Sequence, residues 1–280
     1  MKVFKTVELL RKNISSINAN MSLGFVPTMG ALHDGHLSIV KKAKKENNFV
    51  VVSIFVNPTQ FDKEDDLKSY PKTIDYDLEL LKEVHCDFVF IPSVQDIYPE
   101  TVKSTNFDFD GLDKVMEGAF RNGHFDGVGT VVKRLFEIVE PTRAYFGEKD
   151  FQQLQIIKKM VKKNKMKVQI IPCEIYREKD GLAMSSRNTR LTKAQREEAP
   201  LIQQTLLECK NIFPERDISQ IKKMVKDTFK ANDILKLEYF EIADTETLLS
   251  AKVKLQNKKY RAFIAVFAGK VRLIDNIALN

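Results

Sequence analysis

Short apolar runs alternate with amphipathic segments over roughly the first two thirds of the chain. Apolar runs predict strands, whereas apolar residues that recur every three or four positions predict helices. The predicted strands are residues 23–26, 49–55, 87–91, 142–146 and 167–171, and the predicted helices include 7–17, 75–86 and 128–139. This alternation is typical of βαβ units, so we expect an α/β fold with a Rossmann-like parallel sheet and helices on both faces.

The pattern changes after Asn188, where two helices are followed by several strands. Helices are predicted at 192–212 and 218–231, and strands at 237–242, 261–268 and 271–274. An order without strict alternation indicates a smaller α+β domain. We therefore predict two domains, residues 1–188 and 189–280, and the second is a candidate lid over the first.

The composition of the 280 residues, 43% hydrophobic and 30% charged, is that of a globular protein with a proper core. No apolar run approaches the roughly 18 residues that cross a membrane, and the opening residues do not resemble a secretory signal. Three widely separated cysteines, Cys86, Cys173 and Cys209, form no CxxC pair and predict ordinary reduced thiols. We expect a cytoplasmic protein without a membrane partner.

The charge balance changes this picture only slightly. The chain has 45 basic and 38 acidic residues, and its pI is near 9.1. A lysine-rich segment, residues 151–172, holds six lysines and no acid, and a solvated helix face is favoured there over an anion-steering patch. An RNA-binding module is the weaker alternative, because the aromatic platforms of common single-strand binders are missing. We predict no nucleic-acid partner.

The sequence PTMGALHDGH at residues 27–36, called the signature turn below, carries the clearest chemistry. It lies between a predicted strand and a predicted helix. Gly30 and Gly35 allow backbone to approach a ligand closely, and the amides at a helix start favour an anion such as phosphate. His33 and His36 are three residues apart, so both imidazoles can reach one group, for which the α-phosphate of a nucleotide is a candidate.

Other interpretations of the signature turn remain open at this point. A glycine turn before a helix is often only a turn, and two histidines three residues apart are often surface residues. A zinc site is a further alternative, but the HExxH pattern is absent, and His85 and His124 have no ligand-like spacing to the pair.

Further polar clusters follow other predicted strands. Asn57 and Gln60 follow the second strand, and ligands bind beyond the carboxyl ends of the strands in open parallel sheets. In a second cluster, residues 147–150, Lys149 can contact a phosphate and Asp150 a ribose hydroxyl. In a third, residues 184–187, two serines offer donors and Arg187 can clamp phosphate oxygens. Together these clusters predict a nucleotide site.

Five ordered segments resemble one known family. They are PTMGALHDGH (27–36), FVNPTQF (55–61), GHFDGVGTVV (123–132), FGEKDFQQL (146–154) and DGLAMSSRN (180–188). Together they resemble the pantoate–β-alanine ligases, or pantothenate synthetases. The first and last also resemble the HxGH and KMSKS-like signatures of the wider adenylyl-transfer superfamily. The resemblance implies ATP-dependent condensation of pantoate with β-alanine through a pantoyl-adenylate, which releases AMP and pyrophosphate. A related HxGH nucleotidyltransferase with a different acceptor is the alternative.

The resemblance also implies roles for individual residues. His36 would be the proton donor, and His33, Lys149 and Arg187 would stabilise the reacting phosphates. Gln60 and Gln153 would hold pantoate, and Gln60 would also contact β-alanine. The residues implied for ATP are Met29, Gly30, Ala31, Leu32, His33, Asp34, Gly35, His36, Gly147, Glu148, Lys149, Asp150, Tyr176 through its main chain, Met184, Ser185, Ser186 and Arg187.

Magnesium and a homodimer are also expected. Asp77 is the best-placed acid for Mg²⁺, although this chain has Tyr76 where many relatives carry another acid. Asn122 stands where relatives often have proline. The residues of 118–132 are candidates for the dimer contact. The loop 61–71 and the second domain are candidates for excluding water from the acyl-adenylate.

Overall fold

Six parallel strands form the main sheet. The structure, a computed structural model, describes residues 1–17, 20–61, 67 and 70–280. The strands are β1 Lys2–Phe4, β2 Leu23–Thr28, β3 Phe49–Ile54, β4 Phe88–Phe90, β5 Arg143–Gly147 and β6 Gln169–Cys173. Their order is β1-β4-β3-β2-β5-β6, and every pairing is parallel. The predicted Rossmann-like sheet is confirmed.

The direction in which strands are added reverses beside β2. From β2 the chain moves to β3 and β4 on one side, and it later places β5 and β6 on the other side. Open α/β sheets bind ligands outside the carboxyl ends of the strands at such a reversal. The signature turn follows the carboxyl end of β2, and Gly147 ends β5.

Seven helices accompany this sheet in the described residues. They are α1 Val7–Ile14, α2 Asp34–Glu46, α3 Ile74–Glu83, α4 Val94–Ile97, α5 Met116–Phe120, α6 His124–Val139 and α7 Phe151–Lys163. Helix α2 buries Leu37, Val40 and Ala43, which pack with Val26 and Val52 of the sheet. Full burial of one such large aliphatic side chain stabilises the fold by about 1.5–3 kcal/mol. This core fixes the end of β2 and the start of α2 relative to each other.

The last third of the chain is an α+β arrangement, as predicted. Its described elements are α8 Lys193–Glu198, α9 Leu201–Ile212, α10 Ile218–Lys230, β7 Leu235–Asp244, β8 Tyr260–Ala268 and β9 Val271–Ala278. The three strands are antiparallel in the order β7-β8-β9. Helices α9 and α10 bury Leu206 and Ile221 in one cluster with Ile264 of β8.

The chain divides into two compact units. The first comprises Met1–Asp113, Glu117–Glu148 and Gln152–Glu174, and the second comprises Lys114–Met116, Lys149–Phe151 and Ile175–Asn280. The functional division after Asn188 and the lid role of the second domain stay predictions. Of the loop predicted to move, residues 62–66 and 68–69 lie outside the described residues.

Several elements differ from the sequence predictions. The helix predicted at 192–212 is two helices, because Pro200 has no amide hydrogen and its ring clashes with the preceding turn. Strand β1 was not predicted, since three residues with only Phe4 buried give no readable pattern. Helix α4 was also not predicted from the sequence, and Ser93 and Asp96 form a capping box at its start.

The cysteines match the sequence interpretation. Cys86, Cys173 and Cys209 are free and buried. Burial raises their pKa to about 12, 11 and 12, respectively. Each helix within the described ranges is too short or too polar to span a lipid bilayer.

Candidate active site

The signature turn has the strand–turn–helix form that the sequence predicts. At the end of β2 the Thr28 hydroxyl donates to the Ser53 carbonyl at 2.7 Å and accepts from the Gly30 amide at 3.2 Å. Gly30 and Ala31 then take left-handed backbone angles, with φ of +80° and +50°. Glycine adopts this region freely, whereas alanine does so rarely.

The two predicted catalytic histidines lie side by side at the start of α2. His33 is the N-cap residue, and its carbonyl accepts from the His36 amide at 2.8 Å. The imidazole centroids are 4.0 Å apart, with 33° between the ring planes. Both side chains are half-buried. Both imidazoles can therefore contact one small group, as the three-residue spacing predicts.

Asp77 of α3 lies against the signature turn. Its side chain is fully buried. The carboxylate accepts hydrogen bonds from the amides of Ala31 and Leu32 and from the Thr73 hydroxyl. This contact links residues 46 positions apart, and no local pattern in the sequence indicates it.

Gln60 lies in a short 3₁₀ turn, Pro58–Gln60, after β3. Its side-chain carbonyl accepts from the Asn57 amide group at 3.2 Å, and its Nε2 donates to the Met29 sulfur at 2.8 Å. Gln60, the predicted pantoate contact, therefore contacts Met29, which is implied in ATP binding. Asn57 is itself held by the Tyr98 hydroxyl at 2.5 Å, and burial raises the pKa of that hydroxyl.

The backbone of Gln60 is fixed by the start of α6. His124 Nδ1 is 2.9 Å from the Gln60 carbonyl oxygen, and Arg121 donates to the same oxygen at 3.3 Å. A Cβ on Gly127 would lie only 2.5 Å from the Thr59 carbonyl oxygen. Only glycine lets the helix approach this turn so closely. The sequence indicated no part for Tyr98, His124 or Gly127 in the substrate site, because these residues contact the site only through positions distant in the chain.

Gln153, the second predicted pantoate contact, lies half-buried in the first turn of α7. Its neighbour Gln152 is buried, donates to the Leu112 carbonyl at 2.8 Å and accepts from the Glu117 amide at 3.0 Å. These two hydrogen bonds fix the helix start that carries Gln153.

In the second unit, strand β9 holds the backbone at Lys149. Asn276 Nδ2 donates to the Lys149 carbonyl at 2.9 Å, and Arg261 donates to the Asn276 side-chain oxygen. The Arg261 guanidinium also lies over the Phe151 ring, 4.1 Å from its centroid. Sequence reasoning missed Asn276, which is 127 residues from Lys149.

The remaining predicted ATP residues of the second unit share one folded segment. The Met184 amide donates to the Tyr176 carbonyl at 3.0 Å, so these two predicted positions are adjacent. Ser185 caps the 3₁₀ turn Ser186–Arg190, and its hydroxyl accepts from the Arg187 amide at 3.2 Å. Arg177 anchors the segment with two hydrogen bonds to the carboxylate of Asp275 in β9.

The predicted ATP residues are thus divided between the two units. Residues 29–36, Gly147 and Glu148 belong to the first unit, whereas Lys149, Asp150, Tyr176 and residues 184–187 belong to the second. Their joint action on one nucleotide stays a prediction. Within the described residues, no group of three or more histidine, cysteine or acidic side chains could hold a metal ion.

Comparison with known proteins decides the family. The model of the family described as pantoate-beta-alanine ligase matches residues 2–278. This chain belongs to the pantoate–β-alanine ligase family. Among family members, the pantothenate synthetase of Flavobacterium psychrophilum is 55% identical over 92% of each chain. That of Christiangramia forsetii is 51% identical over the full length of both.

Solved structures of the pantoate–β-alanine ligase family share the fold. The pantothenate synthetase of Thermus thermophilus is 38% identical, with a TM-score of 0.92 over 100% of this chain and 99% of that one. The enzyme of Francisella tularensis, solved with βγ-ATP and β-alanine, is 37% identical, with a TM-score of 0.81 over 100% of this chain and 98% of its own. The sequence-based resemblance to this family is confirmed.

Proposed function

We propose that this chain condenses pantoate with β-alanine at the expense of ATP, through a pantoyl-adenylate. The observation that carries the proposal is the His33–His36 pair, whose ring centroids are 4.0 Å apart after the carboxyl end of β2. Family membership over nearly the whole chain supports it, as do the relatives that bear the name pantothenate synthetase.

In the first step a carboxylate oxygen of pantoate attacks the α-phosphorus of ATP. The bond from that phosphorus to the β-phosphate oxygen breaks, and pyrophosphate leaves. Such a step needs no protein nucleophile, but the two anions must be brought together and the developing charge neutralised. His36 would donate a proton or hydrogen bond to the phosphate, and His33, Lys149 and Arg187 would supply further positive charge or donors.

In the second step the amine of β-alanine attacks the acyl carbon of the adenylate. AMP leaves with the electron pair of the broken acyl–oxygen bond, and the amine nitrogen loses a proton as the amide forms. Gln60 and Gln153 would hold pantoate through both steps, and Gln60 would also contact β-alanine. The hydrogen bonds of Gln60 to Asn57 and Met29 suit this role, because they fix its amide before substrate arrives.

Mg²⁺ would enter with ATP. When bound, it neutralises phosphate charge, and it typically keeps several waters and takes only one or two carboxylates. The described residues fit this mode better than a protein cage, since they offer no cluster of three ligands. The homodimer, the cytoplasmic location and the Mg²⁺ requirement stay predictions.

Partial reactions test the proposal directly. The protein is incubated with ATP, Mg²⁺ and pantoate, and both the release of pyrophosphate and the exchange of labelled pyrophosphate into ATP are measured before and after β-alanine is added. We expect pantoate-dependent ATP–pyrophosphate exchange without β-alanine, then AMP and pantothenate once it is present. Pyrophosphate release that ignores pantoate, or no amide product, would contradict the proposal.

A further inference from the structure

The carboxylate of Asp77 is bonded to the backbone of the signature turn. Its Oδ2 accepts from the Ala31 amide at 3.0 Å, and its Oδ1 accepts from the Leu32 amide at 2.8 Å. The Thr73 hydroxyl donates to Oδ1 at 3.1 Å. Two adjacent amides of one turn are therefore satisfied by a single side chain, which is fully buried.

These amides belong to backbone that needs external support. With φ of +80° at Gly30 and +50° at Ala31, the turn takes two left-handed residues in succession. Residues other than glycine stay in that region only where the surroundings over-determine their conformation. A Cβ on Gly30 would also lie 3.0 Å from Asp77 Oδ2, so the carboxylate packs against the turn as well as bonding to it.

The supported peptides lead straight into the histidine pair. His33 follows Leu32 directly and forms the N-cap of α2, with φ of −148°. A rotation of the peptide between Ala31 and Leu32 would therefore shift His33 and change its contact with His36. Misplacement of reacting groups by about 1 Å can cost on the order of a hundredfold in rate.

A metal contact at Asp77 would compete with these hydrogen bonds. A carboxylate offers about four lone-pair directions, and the bonds to the turn and to Thr73 occupy three of them. We propose that Asp77 is a positioning residue that holds the signature turn, and through it His33 and His36, rather than a ligand of Mg²⁺. This inference rests on the proposed role of the histidine pair in handling the phosphates of ATP.

The test compares two acidic residues of the same helix turn. Asp77→Asn replaces one acceptor oxygen with a donor that faces an amide. Asp75→Asn removes the same charge at an exposed position two residues earlier in the helix. Pantoate-dependent ATP–pyrophosphate exchange is measured for both at saturating substrates and over a range of Mg²⁺ concentrations. Thermal unfolding reports the folded fraction, and Thr73→Val and Thr73→Ser test the remaining hydrogen bond.

We expect Asp77→Asn to lower kcat per folded molecule about tenfold to a hundredfold. The Mg²⁺ concentration for half-maximal rate should not change, and Asp75→Asn should match the wild type. Thr73→Val should lower kcat by a few-fold, and Thr73→Ser, which keeps the hydroxyl, should restore it. A purely structural role would lower the unfolding temperature of Asp77→Asn and leave kcat per folded molecule unchanged.

Equal kcat values for Asp77→Asn and Asp75→Asn would overturn the inference. Recovery of the lost rate at high Mg²⁺ would also overturn it, because that result identifies a metal ligand. If Asp77→Asn does not fold, the Thr73 variants test the proposal instead. Equal kcat values for Thr73→Val and Thr73→Ser would then count against it. A wild-type protein without pantoate-dependent exchange would instead refute the proposed function, on which the inference rests.

Discussion

The imidazole of His36 lies beside that of His33, with 4.0 Å between the ring centroids, so its loss removes one of the two adjacent groups proposed to contact phosphate. We expect His36→Ala to lower ATP–pyrophosphate exchange by on the order of a hundredfold, as removal of one charge-stabilising donor commonly does. The matched control is His85→Asn, because His85 is exposed and its φ of +53° suits asparagine. A near-wild-type rate for His36→Ala would remove His36 from the mechanism.

Substitution of Gly127 tests whether the close approach of α6 to residues 59–60 positions Gln60. A Cβ there would lie 2.5 Å from the Thr59 carbonyl oxygen and 2.9 Å from the Gln60 Cα, so Gly127→Ala must displace one backbone from the other. We expect the KM for pantoate to rise about tenfold, and overpacking of this kind typically destabilises by about 1–3 kcal/mol. Steady-state kinetics with varied pantoate measure the first effect, and chemical unfolding measures the second.

The control for this substitution lies on the same helix. A Cβ on Gly129 would meet ring carbons of Phe107 at 3.0 Å, and a side chain can shift where a backbone cannot. Replacement of either glycine with alanine favours the helix by about the same free energy, roughly 1 kcal/mol. Equal KM values for Gly127→Ala and Gly129→Ala would show that the contact with residues 59–60 does not position Gln60.

Among the secondary-structure elements, β9 contributes a contact to Lys149. Asn276 donates to the Lys149 carbonyl, and Arg261 fixes Asn276 while lying over the ring of Phe151. We expect Asn276→Ala to raise the KM for ATP and to lower kcat about tenfold, because the lysine backbone loses its support. ATP–pyrophosphate exchange at varied ATP measures both constants.

Asn280→Ala is the control for that strand. Asn280 follows β9 and accepts from the Tyr260 amide at 2.7 Å, so its removal also costs the sheet a hydrogen bond. Kinetic constants that change equally in Asn276→Ala and Asn280→Ala would indicate general loosening of the sheet, and the proposed support of Lys149 would be wrong.

Secondary-structure elements were predictable where their periodicity is regular. Apolar runs located β2 through β6, and Leu37, Val40 and Ala43 located the buried face of α2, because burial imposes the spacing. Element ends were less accurate, since they depend on local features such as the left-handed Gly123 that precedes α6. Strand β1 is recognisable only through its pairing with β4.

At the scale of the whole molecule, what could be predicted depends on distance along the chain. The signature turn is contiguous, so its glycines and histidines could be read together. Asp77 and Asn276 support residues 46 and 127 positions away, and such contacts are set by topology rather than by any local pattern. The supporting contacts of a site are therefore the part that the sequence does not reveal, even where a supporting residue such as Asp77 is itself singled out.

The basic surface of the molecule is partly neutralised by its own acids. In the lysine-rich segment, Lys159 and Lys163 pair with Asp110, and Lys163 also pairs with Asp108. These hydrogen bonds lower the pKa of Asp110 to about 2. A carboxyl with a depressed pKa loses its charge only as the pH falls through that low value, so Asp110 stays ionised throughout the neutral range.

This pairing predicts weak binding to polyanions. On a heparin column at pH 7.5 we expect the wild type to elute at or below about 0.2 M salt, because Lys159 and Lys163 already pair with Asp108 and Asp110 and contribute less to counterion release. Asp108→Asn combined with Asp110→Asn should elute later, since Lys159 and Lys163 lose their intramolecular partners. Asp75→Asn combined with Asp113→Asn makes the same change in net charge at other positions and serves as the control. Equal shifts for the two double variants would show that net charge, rather than this pairing, governs binding.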